Sequence, residues 1–270
     1  MPIIEIAGQS VYYAARGTQG APVVFVHGSG GSHLVWNGQL AALAERARVY
    51  GVDLPGHGRS ALPGRDSVRE YAEVVCGFLD ALALPQAVIV GHSLGGAITL
   101  TMGLEHPDRV LGLGLVGTGA RLRVLPAFME GLLSDHANTV HVINETMFAP
   151  DADLHLKELS EQASLVVDPQ VFHDDLAACD RFNIMERLGE IRAPTLVVCG
   201  DQDRMTPPKF SQYLAAQITG AQLVIVPGAG HMVMLERAEE VSAALAGLVG
   251  KVDRETGKQG DRGTGGQANG

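Results

Sequence analysis

Cysteine and positive charge are both scarce in this sequence, and each shortage removes a class of protein. Three cysteines, Cys76, Cys179 and Cys199, occur in 270 residues; they lie far apart, form no Cys-x-x-Cys pair and have no histidine at ligand spacing. A disulfide framework and a Cys/His zinc site are thereby excluded, and the thiols are read as buried and reduced. Lys and Arg number 20 against 30 Asp and Glu, a net charge of -10. A nucleic-acid partner calls for clustered cations, so none is expected. No charge-free apolar run approaches the ~20 residues that span a bilayer, so no membrane partner is expected either. The opening Met1-Pro-Ile-Ile-Glu5 lacks a basic stretch, an apolar segment and a small-residue cleavage site, which makes the cytoplasm the expected location.

What is present is a globular composition, 46% apolar and 19% charged, long enough for one large core and an insert. Apolar runs of strand length at Val23-Val26, Val49-Val52 and Val88-Val90 alternate with helix-period stretches at Leu34-Leu43 and Val68-Leu82, which predicts parallel strands with crossover helices. Ile3-Ile6 and Val11-Ala15 read as an antiparallel hairpin at a sheet edge, so the sheet is expected to be mixed. A helix over Leu94-His106 stops at Pro107, and Val110-Val116 supplies another strand. The alternation then pauses. Between Arg121 and Arg187 no strand-like run stands out, whereas Pro126-Leu133, Val140-Phe148 and Asp153-Val167 show helical spacing. It resumes with strand Thr195-Cys199, helix Pro208-Gln217, strand Gln222-Val226 and helix Ala238-Val249. The expected organisation is a core formed by residues 1–120 and 188–249, a helical cap over 121–187, and a disordered tail over 250–270, too poor in apolar residues to pack.

Gly91-His-Ser93-Leu-Gly95 follows a predicted strand and opens a predicted helix. The five residues alone are a weak signal, since a serine capping a helix after a glycine turn would look the same. In the strand-turn-helix setting the pattern is that of a nucleophile elbow, where glycines let the backbone turn sharply enough to expose the serine hydroxyl above the sheet. Serine is a poor nucleophile near neutrality unless a base takes its proton. Among ten histidines, His231 stands on a Gly-rich loop just after a strand, at the edge where such sheets build sites. An acid must orient that imidazole, and Cys199-Gly-Asp-Gln-Asp-Arg-Met-Thr-Pro207 offers Asp201 and Asp203 after another strand.

With these segments in order, the chain resembles the cap-bearing α/β-hydrolases of the carboxylesterase, lactonase and haloperoxidase-like group. The likeness covers all but the tail and is carried by His27-Gly-Ser-Gly30, Asp53-Leu-Pro-Gly-His-Gly-Arg-Ser60, the elbow, and the acid and histidine turns, in the chain order Ser, Asp, His that this fold uses. It implies an α/β-hydrolase fold: a mostly parallel central sheet flanked by helices, with a helical cap insertion. The spacing Gly200-x-x-Asp203-x-x-x-Pro207 resembles the family's acid turn and selects Asp203, leaving Asp201 as a turn former. The resemblance also implies an oxyanion hole made by the backbone N-H groups of Ser29 and Leu94, with Gly30 the fallback for Ser29, while His27, Asp53 and His57 shape the signature loops.

The function so implied is that of a serine hydrolase cleaving carboxylic esters of small to medium acyl or alcohol groups through an acyl-enzyme on Ser93. Lactone or carbon-carbon bond hydrolysis on the same triad, and a ligand-binding signalling receptor of the same fold, are the alternatives. No cofactor and no metal are implied. Gly112-Leu-Gly-Leu-Val-Gly117 spells a dinucleotide fingerprint but lies within a strand, and His136 and His141 are five apart, off one helix face. Leu125, Phe128, Met129, Met147, Phe148 and Phe172 exceed what solvated helices need, so some are expected to face the catalytic side of the core, closing an apolar pocket that favours acyl chains of about C2 to C8.

Overall fold

The computed structural model describes residues 2–263, with side chains through residue 256. Eight strands form one sheet: β1 (Ile3–Ile6), β2 (Gln9–Arg16), β3 (Pro22–Val26), β4 (Arg48–Val52), β5 (Ala87–His92), β6 (Val110–Val116), β7 (Thr195–Gly200) and β8 (Gln222–Val226). Their spatial order is β1-β2-β4-β3-β5-β6-β7-β8. The first two strands pair antiparallel, β2 runs antiparallel to β4, and every later pair is parallel. Strands covered on both faces read as continuous apolar runs, and β3 and β5 are buried at every residue. The strand period of two sorts their side chains: Val24, Val26 and Ile89 pack into one hydrophobic cluster, and Val23, Phe25, Val88 and Val90 into the other.

Helices α1 (Asn37–Leu43), α2 (Val68–Ala81), α3 (Leu94–Glu105), α8 (Pro208–Gln217) and α10 (Ala238–Gly263) flank the sheet, and α9 (Val233–Glu236) is a single turn. The segment read as one helix from Leu34 is a 3₁₀ turn, His33–Trp36, capped by Ser32 and leading into α1. Ser67 caps α2 by accepting the Glu70 N-H.

Between β6 and β7 the chain makes α4 (Pro126–Ser134), α5 (His136–Met147), α6 (Leu154–Leu165) and α7 (Pro169–Arg181). It leaves and returns at one place, where a bridge joins Arg121 to Asn183 and Ile184 N-H donates to Ala120 O at 2.8 Å. The spacing picks out three of these helices. The fourth, α7, opens on Asp168, whose side chain accepts from Gln170 N-H and Val171 N-H, with Pro169 in the first turn.

One expectation is corrected at the carboxyl end. The last helix runs to Gly263, past the Val249 limit and into the segment read as a disordered tail. The apolar stripe Val241, Leu245, Leu248, Val249 continues to Val252, which is buried, and Lys251, Arg254 and Glu255 beyond Gly250 are good helix formers. Residues 264–270, the rest of that expectation, lie outside the described residues. No helix among the described residues is long and apolar enough to cross a membrane.

Candidate active site

Strands β5, β7 and β8, with β6 between the first two, end in the loops that carry Ser93, Asp203 and His231. Ser93 joins β5 to α3 with φ 51 and ψ -114, a left-handed conformation that a non-glycine residue adopts only when its surroundings impose it. The flanking glycines are what permit the turn. A Cβ on Gly91 would lie 1.9 Å from Gly95 O, and one on Gly95 would lie 2.3 Å from Val26 O. Ser93 N-H donates to Val116 O at 3.0 Å, and Thr118 Oγ1 donates to Ser93 O at 2.8 Å, so the backbone of the turn is held from β6 and the loop after it.

His231 follows β8 and Asp203 follows β7. Asp203 Oδ2 meets His231 Nδ1 at 2.9 Å and accepts the Thr206 hydroxyl at 2.8 Å, while Oδ1 accepts the Met205 and Thr206 N-H groups at 2.9 and 2.8 Å. Burial opposes the charge on Asp203, but the His231 imidazole and the N-H and hydroxyl donors of Thr206 outweigh it and hold the carboxyl below its ordinary range. Asp201 is exposed and accepts the Gly228 N-H at 2.8 Å, which closes a turn. The structure thus brings His231 to Asp203 and turns Asp201 away.

The His231 main chain is fixed as firmly as its ring. Its N-H donates to Met147 O at 2.6 Å, at the end of α5, and its carbonyl accepts the His92 Nε2-H at 3.1 Å. Burial, with His231 beside it, holds His92 well below the usual imidazole range, which suits a neutral donor. Glu236 accepts from Gly230 N-H and Ala149 N-H, both at 3.0 Å, and so fastens the histidine loop to the segment after α5. Thr206, Thr118, His92 and Glu236 were not singled out from the sequence. Of these only Thr206, three residues past an aspartate in a turn, carried a local signal.

Ser93 and His231 line one cavity of about 70 Å³, with no hydrogen bond between their side chains among the described residues. Ser29, His92 and Met147 line both it and an adjoining cavity of about 310 Å³, whose wall includes Leu156, Leu159 and Ser160 of α6. Leu34 and Leu159 there are about half exposed, at 53% and 49%, so the larger lobe reaches the surface. Of the insert's six named apolar residues, Met147 and Phe172 line the Ser93 cavity, joined by Ile143, Leu176 and Cys179. Phe148 is instead core, Leu125 is exposed, and Phe128 and Met129 pack against the core.

The loop after β3 carries the predicted oxyanion donors. Among the described residues neither Ser29 N-H nor Leu94 N-H donates to a protein acceptor, whereas Gly30 N-H is taken by Asp175 Oδ2 at 3.1 Å. The signature residues tie neighbouring loops together. His27 Nε2 accepts the Leu54 N-H at 3.0 Å and its Nδ1-H donates to Gly28 O at 2.8 Å, the pattern of a neutral ring. Burial accordingly brings the His27 pKa down to about 4. Asp53 accepts from His33 N-H and Arg59 N-H at 2.7 and 3.0 Å. Away from the cavity, Glu73, Cys76 and His106 each bring one ligand atom within 4.8 Å of the others. The Cys76 thiol is pushed up to about 11 by burial and sits 3.5 Å from Met102 Sδ, poor terms for a thiolate ligand.

A mostly parallel sheet, a strained serine between β5 and α3, and an aspartate-histidine pair on the loops after β7 and β8 are the marks of a hydrolase. The model of the alpha/beta hydrolase fold family matches residues 21–238, and the chain belongs to that family. It is 29% identical over 251 residues to a pimeloyl-[acyl-carrier protein] methyl ester esterase of Neisseria meningitidis, a match covering 87% of this chain and 79% of that one. A thermophilic esterase superposes with a TM-score of 0.84 at 38% identity, over 93% of this chain and 97% of its own. The enol-lactonase from Burkholderia xenovorans LB400 superposes with a TM-score of 0.87 at 23% identity, over 92% and 99%, which is a likeness of fold.

Proposed function

We propose that this hydrolase cleaves carboxylic esters of small to medium acyl or alcohol groups through an acyl-enzyme on Ser93, with His231 as base and Asp203 as its orienting acid. The observation that carries the reading is the 2.9 Å contact between His231 and Asp203 in a loop whose histidine lines the same cavity as the strained serine. His231 Nε2 takes the Ser93 proton as Oγ adds to the ester carbonyl carbon, and the carbonyl oxygen becomes an oxyanion received by Ser29 N-H and Leu94 N-H. Leu94 opens α3, whose positive end adds to the stabilisation, and fixed donors of this kind are worth a few kcal/mol each. His231 then returns the proton to the leaving alcohol, and water, activated by the same base, releases the acid. The insert helices α5, α6 and α7 supply one wall of the two lobes and therefore select the substrate. The two lobes suit an ester with a short group beside Ser93 and a longer apolar group running toward α6.

A fluorophosphonate should label Ser93, and Ser93→Ala should lose ester hydrolysis at least a thousandfold while keeping its circular dichroism spectrum. Labelling at another serine, or hydrolysis of simple esters surviving in Ser93→Ala, sinks the proposal. A single slow acylation with no turnover would favour a ligand-binding receptor.

A further inference from the structure

Helix α7 carries one fully buried carboxylate, and it reaches out of the insert into the loop that the proposed mechanism uses. Asp175 Oδ1 accepts the Tyr71 hydroxyl at 2.7 Å, and Oδ2 meets His57 Nε2 at 2.9 Å and the Gly30 N-H at 3.1 Å. His57 Nδ1 faces Pro55 O at 3.0 Å. Both ring nitrogens of His57 therefore look at acceptors, so both must donate and the ring is an imidazolium. Burial opposes that charge, but Asp175 outweighs it and raises the His57 pKa above its ordinary value. A buried pair of this kind is costly to assemble and more costly to break on one side, which makes it a poor means of stabilisation and a good means of fixing geometry.

Two other residues of α7 press on the same loop, at helical spacing on the same side. Gly30 has φ +64, and a Cβ there would meet the Phe172 ring at 2.6 Å. Cys179 Sγ lies 3.7 Å from Ser29 Oγ, its thiol pushed up to about 12 by burial and so inert. Phe172, Asp175 and Cys179 grip Ser29 and Gly30 from one helix face. The Gly30 N-H is consumed by this grip, and the neighbouring Ser29 N-H is the one left for substrate.

We infer that Asp175 is a positioning residue, which holds Gly30 so that the Ser29 N-H points where the oxyanion forms and thereby makes the oxyanion hole depend on the docked α7. The inference rests on the serine-esterase reading and is tested in protein whose Ser93 labelling and turnover of p-nitrophenyl acetate have been established. Asp175→Ala should lower kcat roughly 10- to 100-fold with KM within threefold, because a misplaced donor is felt only when the oxyanion develops. A trifluoromethyl ketone, to whose carbonyl carbon Ser93 Oγ adds while the proton passes to His231 and the ketone oxygen becomes the oxyanion, should bind more weakly by the same factor per titrated active site. Arg181→Ala serves as the comparison, since Arg181 tethers α7 to the Asp66 carbonyl from an exposed position; its kcat and ketone affinity should stay within twofold. Equal losses in Arg181→Ala, or an Asp175→Ala loss confined to KM, to the active fraction or to thermal stability, overturn the inference. Should Asp175→Ala fail to fold, the same kcat and ketone ratios are read in the paired variant Asp175→Leu with His57→Phe, which removes both buried charges together and leaves the Gly30 N-H without an acceptor, and unchanged values there overturn it too.

Discussion

Asp203→Asn isolates the part played by one charge, because the surrounding donors dictate which way the new amide faces. Asp203 Oδ1 accepts the Met205 and Thr206 N-H groups at 2.9 and 2.8 Å, and only the amide oxygen can replace it there. The amide nitrogen then takes the Oδ2 position, 2.9 Å from His231 Nδ1. A donor at that point requires Nδ1 to accept, so the single ring proton moves to Nε2, the nitrogen that in the proposed mechanism must accept from Ser93. The base is present, in place and in the wrong tautomer. kcat should fall about 10³- to 10⁴-fold, equivalent to roughly 4 to 5.5 kcal/mol of barrier, with KM little changed. Asp201→Asn keeps an amide oxygen for the Gly228 N-H and should stay within about twofold. Initial rates on p-nitrophenyl acetate, normalised by fluorophosphonate titration, make the comparison. A loss below tenfold in Asp203→Asn, or similar losses in both variants, would refute the tautomer argument.

Two further outcomes follow from the cavity and from the buried imidazoles. Ser160→Trp narrows the larger lobe without touching Ser93, so kcat/KM for octanoyl or octyl esters should drop at least tenfold while acetate esters of small alcohols are spared, given roughly fourfold per buried methylene. Equal effects on long and short substrates, or a rate still climbing at C16, would count against the two-lobed cavity as the substrate site. His27, brought from 6.5 to about 4, binds its proton more weakly folded than unfolded, so stability is present above pH 6.5 and lost as pH falls toward about 4, by up to about 3 kcal/mol. Buried His92 acts in the same direction. Urea midpoints at pH 7 and pH 4.5 should differ less in His27→Gln than in the parent, and an unchanged difference would assign the acid loss elsewhere.

How much of this was legible in the sequence depends on how local each signal is. Strands β3, β5 and β7 are short apolar runs bounded by turn residues, and a run of that kind between helix-period stretches leaves few topologies. The elbow is local as well, since Gly91 and Gly95 are demanded by backbone contacts within the turn and from Val26 beside it. The end of α10 was lost for a related reason. Glycine at 250 and the charges after it read as a breaker and a solvated tail, but one apolar residue, Val252, continues the buried stripe. Asp201 and Asp203 could be told apart only by likeness to a family, because both follow β7 and only the fold decides which faces His231.

Asp175 had no signal of its own. It sits in α7 among Val171, Phe172, Leu176, Ala178 and Cys179, and a carboxylate beside such residues reads as a helix edge turned to solvent. Its partners lie far away in sequence: His57 is 118 residues distant, Tyr71 104 and Gly30 145. Short-range pattern cannot carry that information, because the three meet only after the insert has folded back over the carboxyl ends of the strands. The same separation gives the contact its consequence. Catalytic side chains held within adjacent core loops would keep their geometry whatever covered them, whereas in the proposed mechanism a donor loop held from the insert would join the wall that selects the substrate to the group that stabilises the oxyanion. A change in α7 that admits a larger ester should then also disturb kcat toward a small one, which a merely steric cap would leave untouched.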